Sequence, residues 1–408
     1  MRGRRFLPLF LAFAPLAASQ DLSGLWDAAV TVNGLTIPFR MEFSGTGAAI
    51  RGAFFNGDEK VPSTGGHFEN GALVLNFDHY ATRLEASFRD GALEGTYGRA
   101  GRQYAFSAKP AASMPSSPNA PNISGDWELA TTSAKGEKAW HFIVRQSGGG
   151  ISAAILRVDG DTGTLTGCWR DGKFVLSHFS GARPSLLEVT PLADGTLEVL
   201  QNGHNKLIAR RPAEARAKGL PGPTDPFTHT SVRDASEPFH FQGVDLDGHT
   251  VTDADPRFRN KVVIVAISGS WCPNCHDEAP FLEEMYRDYR GQGLEIVSLD
   301  FEEADQLKDP TRLRAFVKQY GIDYTVLLAG ETGELHAKLP QAVNLDAWPT
   351  TFFLGRDGRV RSVHAGFAAP ASGEFHQQLR AEVKSSIEKL LAEHPPSDSS
   401  AVARRQEP

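Results

Sequence analysis

The sequence predicts a multidomain chain, with a duplicated all-β region of antiparallel barrels or sandwiches ahead of an α/β domain. Three observations carry this. Ser23-Gly24-Leu25-Trp26 returns as Ser124-Gly125-Asp126-Trp127, and Asn70-Gly71-Ala72-Leu73-Val74-Leu75 returns as Asp171-Gly172-Lys173-Phe174-Val175-Leu176, both at an offset of 101 residues. A repeated unit is the simplest account of that spacing. Val262-Val263-Ile264-Val265-Ala266-Ile267 is β-branched and uncharged, the pattern of a strand buried on both faces. After it, strand-like and helix-like stretches alternate, which implies parallel strands joined by crossover helices.

Taken in order, residues 1–19 carry Arg2, Arg4 and Arg5, an apolar run from Phe6 to Ala14, and the small residues Ala17, Ala18 and Ser19. This reads as a signal peptide, so the chain is expected to be exported to a periplasm or cell envelope and soluble after cleavage. Residues 20–110 form the first β domain, with short strands broken by glycine turns. Residues 111–121, rich in Pro, Ser and Ala, read as a linker, and 122–211 as the second β domain. A second linker at 212–226 contains Pro221-Gly222-Pro223, and the α/β domain spans 227–394. In it, an extended entry and a hairpin on the Asp247-Gly248 turn precede the central strand. Strands follow at 294–300, 324–328, 351–354 and 360–365, with helices near 311–320 and 372–393. Residues 395–408 are polar and proline-bearing, and are expected to be disordered.

The net charge of −7 argues against a nucleic-acid partner, and 40% hydrophobic residues suffice for real cores. Three cysteines in an exported chain do not make a disulfide scaffold. Cys272 and Cys275 instead form a Cys-x-x-Cys at the end of the buried strand. Glu278, Phe281, Leu282, Met285, Tyr286 and Tyr289 follow at helical spacing. Both thiols then lie at a helix N-terminus, where unpaired N–H groups and the helix dipole favour thiolate. The pattern admits a redox dithiol, half a zinc site or, because His276 follows, a c-type haem attachment. The strand leading straight into the motif favours the dithiol. No metal and no cofactor are expected, since the remaining histidines lack ligand spacing. His276 is expected to be exposed, and Cys168 to be a free, partly buried thiol.

Trp271-Cys272-Pro273-Asn274-Cys275, Glu278-Ala279-Pro280 and Trp348-Pro349-Thr350-Thr351-Phe352-Phe353-Leu354 together resemble the thioredoxin superfamily, and within it the exported TlpA/ResA-like thiol-disulfide oxidoreductases. The resemblance implies a thioredoxin fold over 227–394. It makes Cys272 the exposed nucleophile, Cys275 the resolving thiol, and Pro349 a cis-proline facing them. Trp271, Trp348 and Pro349 would contact substrate. Many thioredoxins place a buried acid six residues before the first cysteine. That position here is Ala266, so Glu278, one turn beyond Cys275 and resembling the glutamate found there in TlpA/ResA-like reductases, becomes the candidate proton acceptor. The implied partners are a disulfide-containing protein substrate and a membrane-bound thiol donor, with reduction as the direction. The rival reading is an envelope binding protein that acts through its β repeats and carries an incidental dithiol.

Overall fold

The computed structural model describes residues 21–112 and 119–393. The expected signal peptide, the middle of the first linker and the C-terminal tail lie outside the described residues.

The repeat is visible strand by strand. The first unit is a nine-stranded antiparallel meander running from Gly24–Val32 to Arg102–Pro110, and the second has nine strands at matching positions from Gly125–Ala130 to Asn205–Arg210. Each unit anchors its opening strand in the same way. The Trp26 indole N–H donates to the Leu22 carbonyl at 2.8 Å, and the Trp127 indole to the Ile123 carbonyl at 2.9 Å. A buried indole must place its single donor, so each pair fixes the chain entry over the core. Asn70-Gly71 and Asp171-Gly172 all have positive φ, between 49° and 78°, which matches the two-residue hairpin turn that follows strand twist.

The units differ in closure. In the second, Ala139–Ser147 pairs with Gly150–Arg157, which in turn pairs with Leu165–Arg170, and this closes an eight-stranded barrel around its own core. In the first, the strand Arg51–Asn56 does not pair with Gly65–Glu69 among the described residues. A 3-10 turn at Gly47–Ala49 stands where the second unit has the hairpin turn that leads into Gly150–Arg157, and the first unit's strand begins only at Arg51. The sheet therefore curls around its core without sealing.

The segment expected as the second linker contains a six-residue helix, Pro212–Ala217, with Ala215 buried. Proline at its first position suits a helix start.

The C-terminal region holds a seven-stranded sheet, ordered Thr250–Thr252, Gln242–Asp245, Thr325–Glu331, Leu294–Glu302, Val262–Ser268, Thr350–Leu354, Val360–Ala365. The central strand Val262–Ser268 is parallel to Leu294–Glu302 and antiparallel to Thr350–Leu354. All seven of its residues are buried. Its alternate side chains enter two cores, Ile264 and Ala266 under the motif helix and Val265 and Ile267 on the opposite face. Each full aliphatic burial contributes about 1.5–3 kcal/mol. The helices Pro273–Tyr289 and Glu374–Ala392 cover the first face. This strand–helix layering with a terminal antiparallel hairpin is the thioredoxin-like arrangement. It brings the motif to the C-terminal end of the central strand, where both β units meet it.

Candidate active site

The helix Pro273–Tyr289 begins with Cys272 as its N-cap, in extended conformation (φ −90°, ψ 114°), and Pro273 occupies the first turn. Proline is tolerated there because its missing N–H has no intrahelical acceptor to lose. The Cys275 backbone N–H donates to Cys272 Sγ at 3.2 Å. This is the N-cap bond of a Ser or Asp with sulfur in place of oxygen, and it stabilises negative charge on Cys272. Both thiols are free. Cys275 is almost fully enclosed; burial first, then the bond to Cys272, push its thiol well above the ordinary value.

Glu278 lies one turn beyond Cys275 and is 4% exposed. Thr351 Oγ1 donates to its Oε1 at 2.8 Å. Burial pushes the carboxyl up to about 8, with the Thr351 bond acting weakly the other way. A carboxyl poised there accepts a proton near neutral pH far more readily than an exposed one. Ala266 is buried and contributes no titrating group.

Sequence reasoning missed a second buried acid on this face. Asp300 is fully buried on the neighbouring strand, in register with Ser268, and accepts from Ser298 Oγ at 2.7 Å. Burial, then the charge of Glu302, pushes its carboxyl up to about 7. Burial first, then the charges of Asp300, Glu278, Glu283 and Cys275, pushes the Tyr324 phenol well above its ordinary value. The signal in the sequence was weak, because Leu294–Phe301 also carries Glu295 and Ser298 and one more polar residue does not stand out there.

Trp271 and Trp348 meet edge to face at 5.2 Å between centroids, and the Trp271 indole donates to the Phe301 carbonyl at 2.9 Å. The Trp348–Pro349 peptide bond is cis. Behind Trp271, Arg312, 1% exposed, donates to Glu302 and Glu303 at 2.6 Å each and to Ser270 Oγ at 2.8 Å. Glu302 accepts the Ser270 backbone N–H at 2.6 Å. The buried ion pair thereby fixes the loop that presents Trp271-Cys272. None of these charged residues was singled out in the sequence, because an arginine early in an amphipathic helix resembles a solvated one.

Two expectations fail. Cys272 is 3% exposed and His276 is 3% exposed, where both were expected at the surface. Both β units pack against the start of the motif helix around them. Tyr80 of the first unit packs on His276 with the rings tilted by 40° and their centroids 4.4 Å apart. The His276 ring nitrogens face Tyr320 Oη at 3.0 Å and the Ser270 carbonyl at 2.8 Å, so neither is directed at a ligand. From the second unit, Arg183 donates to Asn274 Oδ1 at 2.7 Å and Asp277 Oδ2 at 2.8 Å, while Asn274 donates to the Asp159 carbonyl at 2.6 Å. Gly160 sits so near the domain's last loop that a Cβ would lie 2.6 Å from the Phe367 carbonyl oxygen. From the first unit, Arg99 holds Glu303 through two bonds of 2.6 Å. The free, half-buried Cys168 lies in the strand Leu165–Arg170, apart from this centre. No His, Cys, Asp and Glu cluster suited to a metal, and no helix long and apolar enough to cross a membrane, occurs among the described residues.

Comparison with known proteins matches residues 233–363 to the AhpC/TSA family. The thiol-disulfide oxidoreductase ResA of Bacillus thuringiensis subsp. konkukian is 32% identical over 123 residues, which is 30% of this chain and 63% of that protein. ResA of Geobacillus kaustophilus is 28% identical over 154 residues, 38% of this chain and 82% of that protein. The chain thus spans somewhat under two thirds of the first of these relatives. A crystal structure of a putative thiol:disulfide interchange protein DsbE from Chlorobium tepidum covers 38% of this chain and 99% of its own, at 21% identity and a TM-score of 0.30. The β repeats lie outside the family match, and the C-terminal region is a thioredoxin-like domain, similar to ResA and matched by the AhpC/TSA family.

Proposed function

We propose that the chain is an exported thiol-disulfide oxidoreductase that reduces disulfide-bonded substrates through Cys272 and Cys275. The observation that carries this reading is the Cys275 N–H bond to Cys272 Sγ at the helix N-cap, with the Glu278 carboxyl buried one turn below. Cys272 attacks a substrate disulfide as thiolate, and a mixed disulfide forms. Cys275 gives its proton to Glu278 and attacks the Cys272 sulfur, which releases the substrate thiol and leaves a Cys272–Cys275 disulfide. Glu278 favours this release over accumulation of the mixed disulfide, which supports the reducing direction. The basic and apolar residues of 1–19 support export, and in that compartment a membrane-bound thiol donor would restore the dithiol. Trp271, Trp348 and Pro349 would border the substrate.

Equilibration in glutathione redox buffers, read by alkylation and mass spectrometry, tests this. The expected potential lies nearer the thioredoxin value of about −270 mV than the strongly oxidising value of about −120 mV. A potential at the oxidising end would reverse the direction, and failure to form a Cys272–Cys275 disulfide would remove the function.

A further inference from the structure

Two clefts flank Trp271. One, of about 410 Å³, lies against Trp348 and carries the carboxylates Glu303 and Asp346. The other, of about 350 Å³, lies between the motif and both β units. Trp271 and Pro273, the neighbours of Cys272 on either side, form part of its wall, and no carboxylate does. Its charged lining is Arg99, Arg102, Arg183 and Arg312. Three of these are matched by carboxylates: Arg99 by Glu303, Arg183 by Asp277, Arg312 by Glu302. Arg102 is exposed, its Nε donates to the Tyr104 hydroxyl at 3.0 Å, and it has no carboxylate partner among the described residues. The cleft therefore holds an uncompensated positive charge beside aromatic side chains, against the residues on either side of Cys272, which is itself 3% exposed.

We infer that this cleft is the substrate entrance, and that it selects a low-molecular-weight disulfide bearing carboxylates, with Arg102 as the residue that recognises the anion. The inference rests on the oxidoreductase reading above, narrows its substrate, and replaces the border at Trp348 and Pro349 by one at Trp271 and Pro273. A guanidinium with free N–H groups pairs with a carboxylate in two parallel bonds, which a hydroxyl or amide cannot match. The volume suits one arm of a tripeptide-sized disulfide, near the lower end for small-molecule sites. A folded protein presents a disulfide on a broad surface, and the β-unit loops packed around the start of the motif helix keep such a surface away.

The chemistry is balanced by the two thiols. Cys272 thiolate attacks one sulfur of RSSR, the S–S bond breaks, and the first RS⁻ leaves with the electron pair and takes a proton from water. Cys275, its proton passed to Glu278, attacks Cys272 in the mixed disulfide and releases the second RS⁻. The dithiol loses two electrons, and an external dithiol restores them.

Single-turnover oxidation of the pre-reduced full chain, followed by tryptophan fluorescence, tests the inference with three probes: glutathione disulfide as the anion, bis(2-hydroxyethyl) disulfide as the neutral control, and insulin as the folded protein. Wild type should oxidise faster with glutathione disulfide than with insulin. Arg102→Glu, at an exposed position, should slow glutathione disulfide about tenfold, the weight of one lost charged contact, and change the neutral probe by less than about twofold, as expected for an exposed change away from the dithiol. Arg102→Gln should fall between. Insulin matching glutathione disulfide, or Arg102→Glu slowing both small probes equally, would overturn the cleft assignment and leave the oxidoreductase reading standing. No oxidation by any probe would instead overturn that reading and the cleft with it.

Discussion

The two β units are copies that do different things with the same plan. The second seals into a barrel, and the first stays open between its third and fifth strands. Yet corresponding segments of both reach the motif helix. His79 and Tyr80 of the first unit correspond at the repeat offset to Ser180 and Gly181 of the second, and Thr82 corresponds to Arg183. The first unit meets the motif through a tilted aromatic contact with His276 and the half-exposed Arg99–Glu303 pair. The closed unit meets it through Arg183, whose partner Asp277 is itself mostly buried. The difference teaches that duplication supplied two scaffolds aimed at one site, and that the sealed scaffold carries the charged, enclosed contact.

Substitutions can break or sharpen this contrast. The largest effect is expected where neither unit reaches, beneath the dithiol. Glu278→Gln should slow release of the mixed disulfide by about a hundredfold or more, the usual weight of a general base. It should also remove the rise in resolution rate as pH increases through about 8, where wild-type Glu278 ionises. Stability gives the same sign. The folded pKa is raised, so the proton is held more tightly in the native state, and stability is lost as pH rises from the unfolded value towards about 8. The Gln variant should therefore gain stability relative to wild type across that window, measured by denaturant unfolding at several pH values. An identical pH dependence in both would make Glu278 a bystander.

Next is the sealed unit. Arg183→Ala leaves Asp277 enclosed without its cation, which should cost about 3 kcal/mol and make Cys272 faster to alkylate. In the open unit, Tyr80→Ala should cost about 1–2 kcal/mol, from lost ring contact and burial, with a smaller rise in Cys272 labelling. Arg99→Ala should cost about 1 kcal/mol or less, as a half-exposed pair does. If Tyr80→Ala frees Cys272 more than Arg183→Ala, the sealed unit is not the principal cover.

Much of this was legible in the sequence because it is local. The 101-residue offset exposes the duplication, and the uncharged run before Trp271-Cys272 locates the central strand and its helix. Glu278 was found by its spacing from Cys275, and its enclosure follows from the helix face it occupies. What could not be read depends on distant segments docking. Cys272 and His276 read as surface residues because a helix N-terminus normally is one; loops about 90 to 200 residues upstream pack over this start of the helix. Arg312 and Asp300 were passed over for a related reason, since a charged residue in an amphipathic stretch declares its burial only when its partners are placed. The closure of one unit and not the other depends on whether the third and fifth strands pair, a contact between segments that carries no strong sequence mark.

The account stands on the order of the two thiols, and trapping measures that order directly. Full-length Cys275→Ser, reduced and then exposed to glutathione disulfide, should accumulate a stable mixed disulfide on Cys272, located by peptide mass spectrometry, because attack remains while resolution is lost. An adduct that accumulates instead on Cys275 in Cys272→Ser, or only on Cys168, would contradict it.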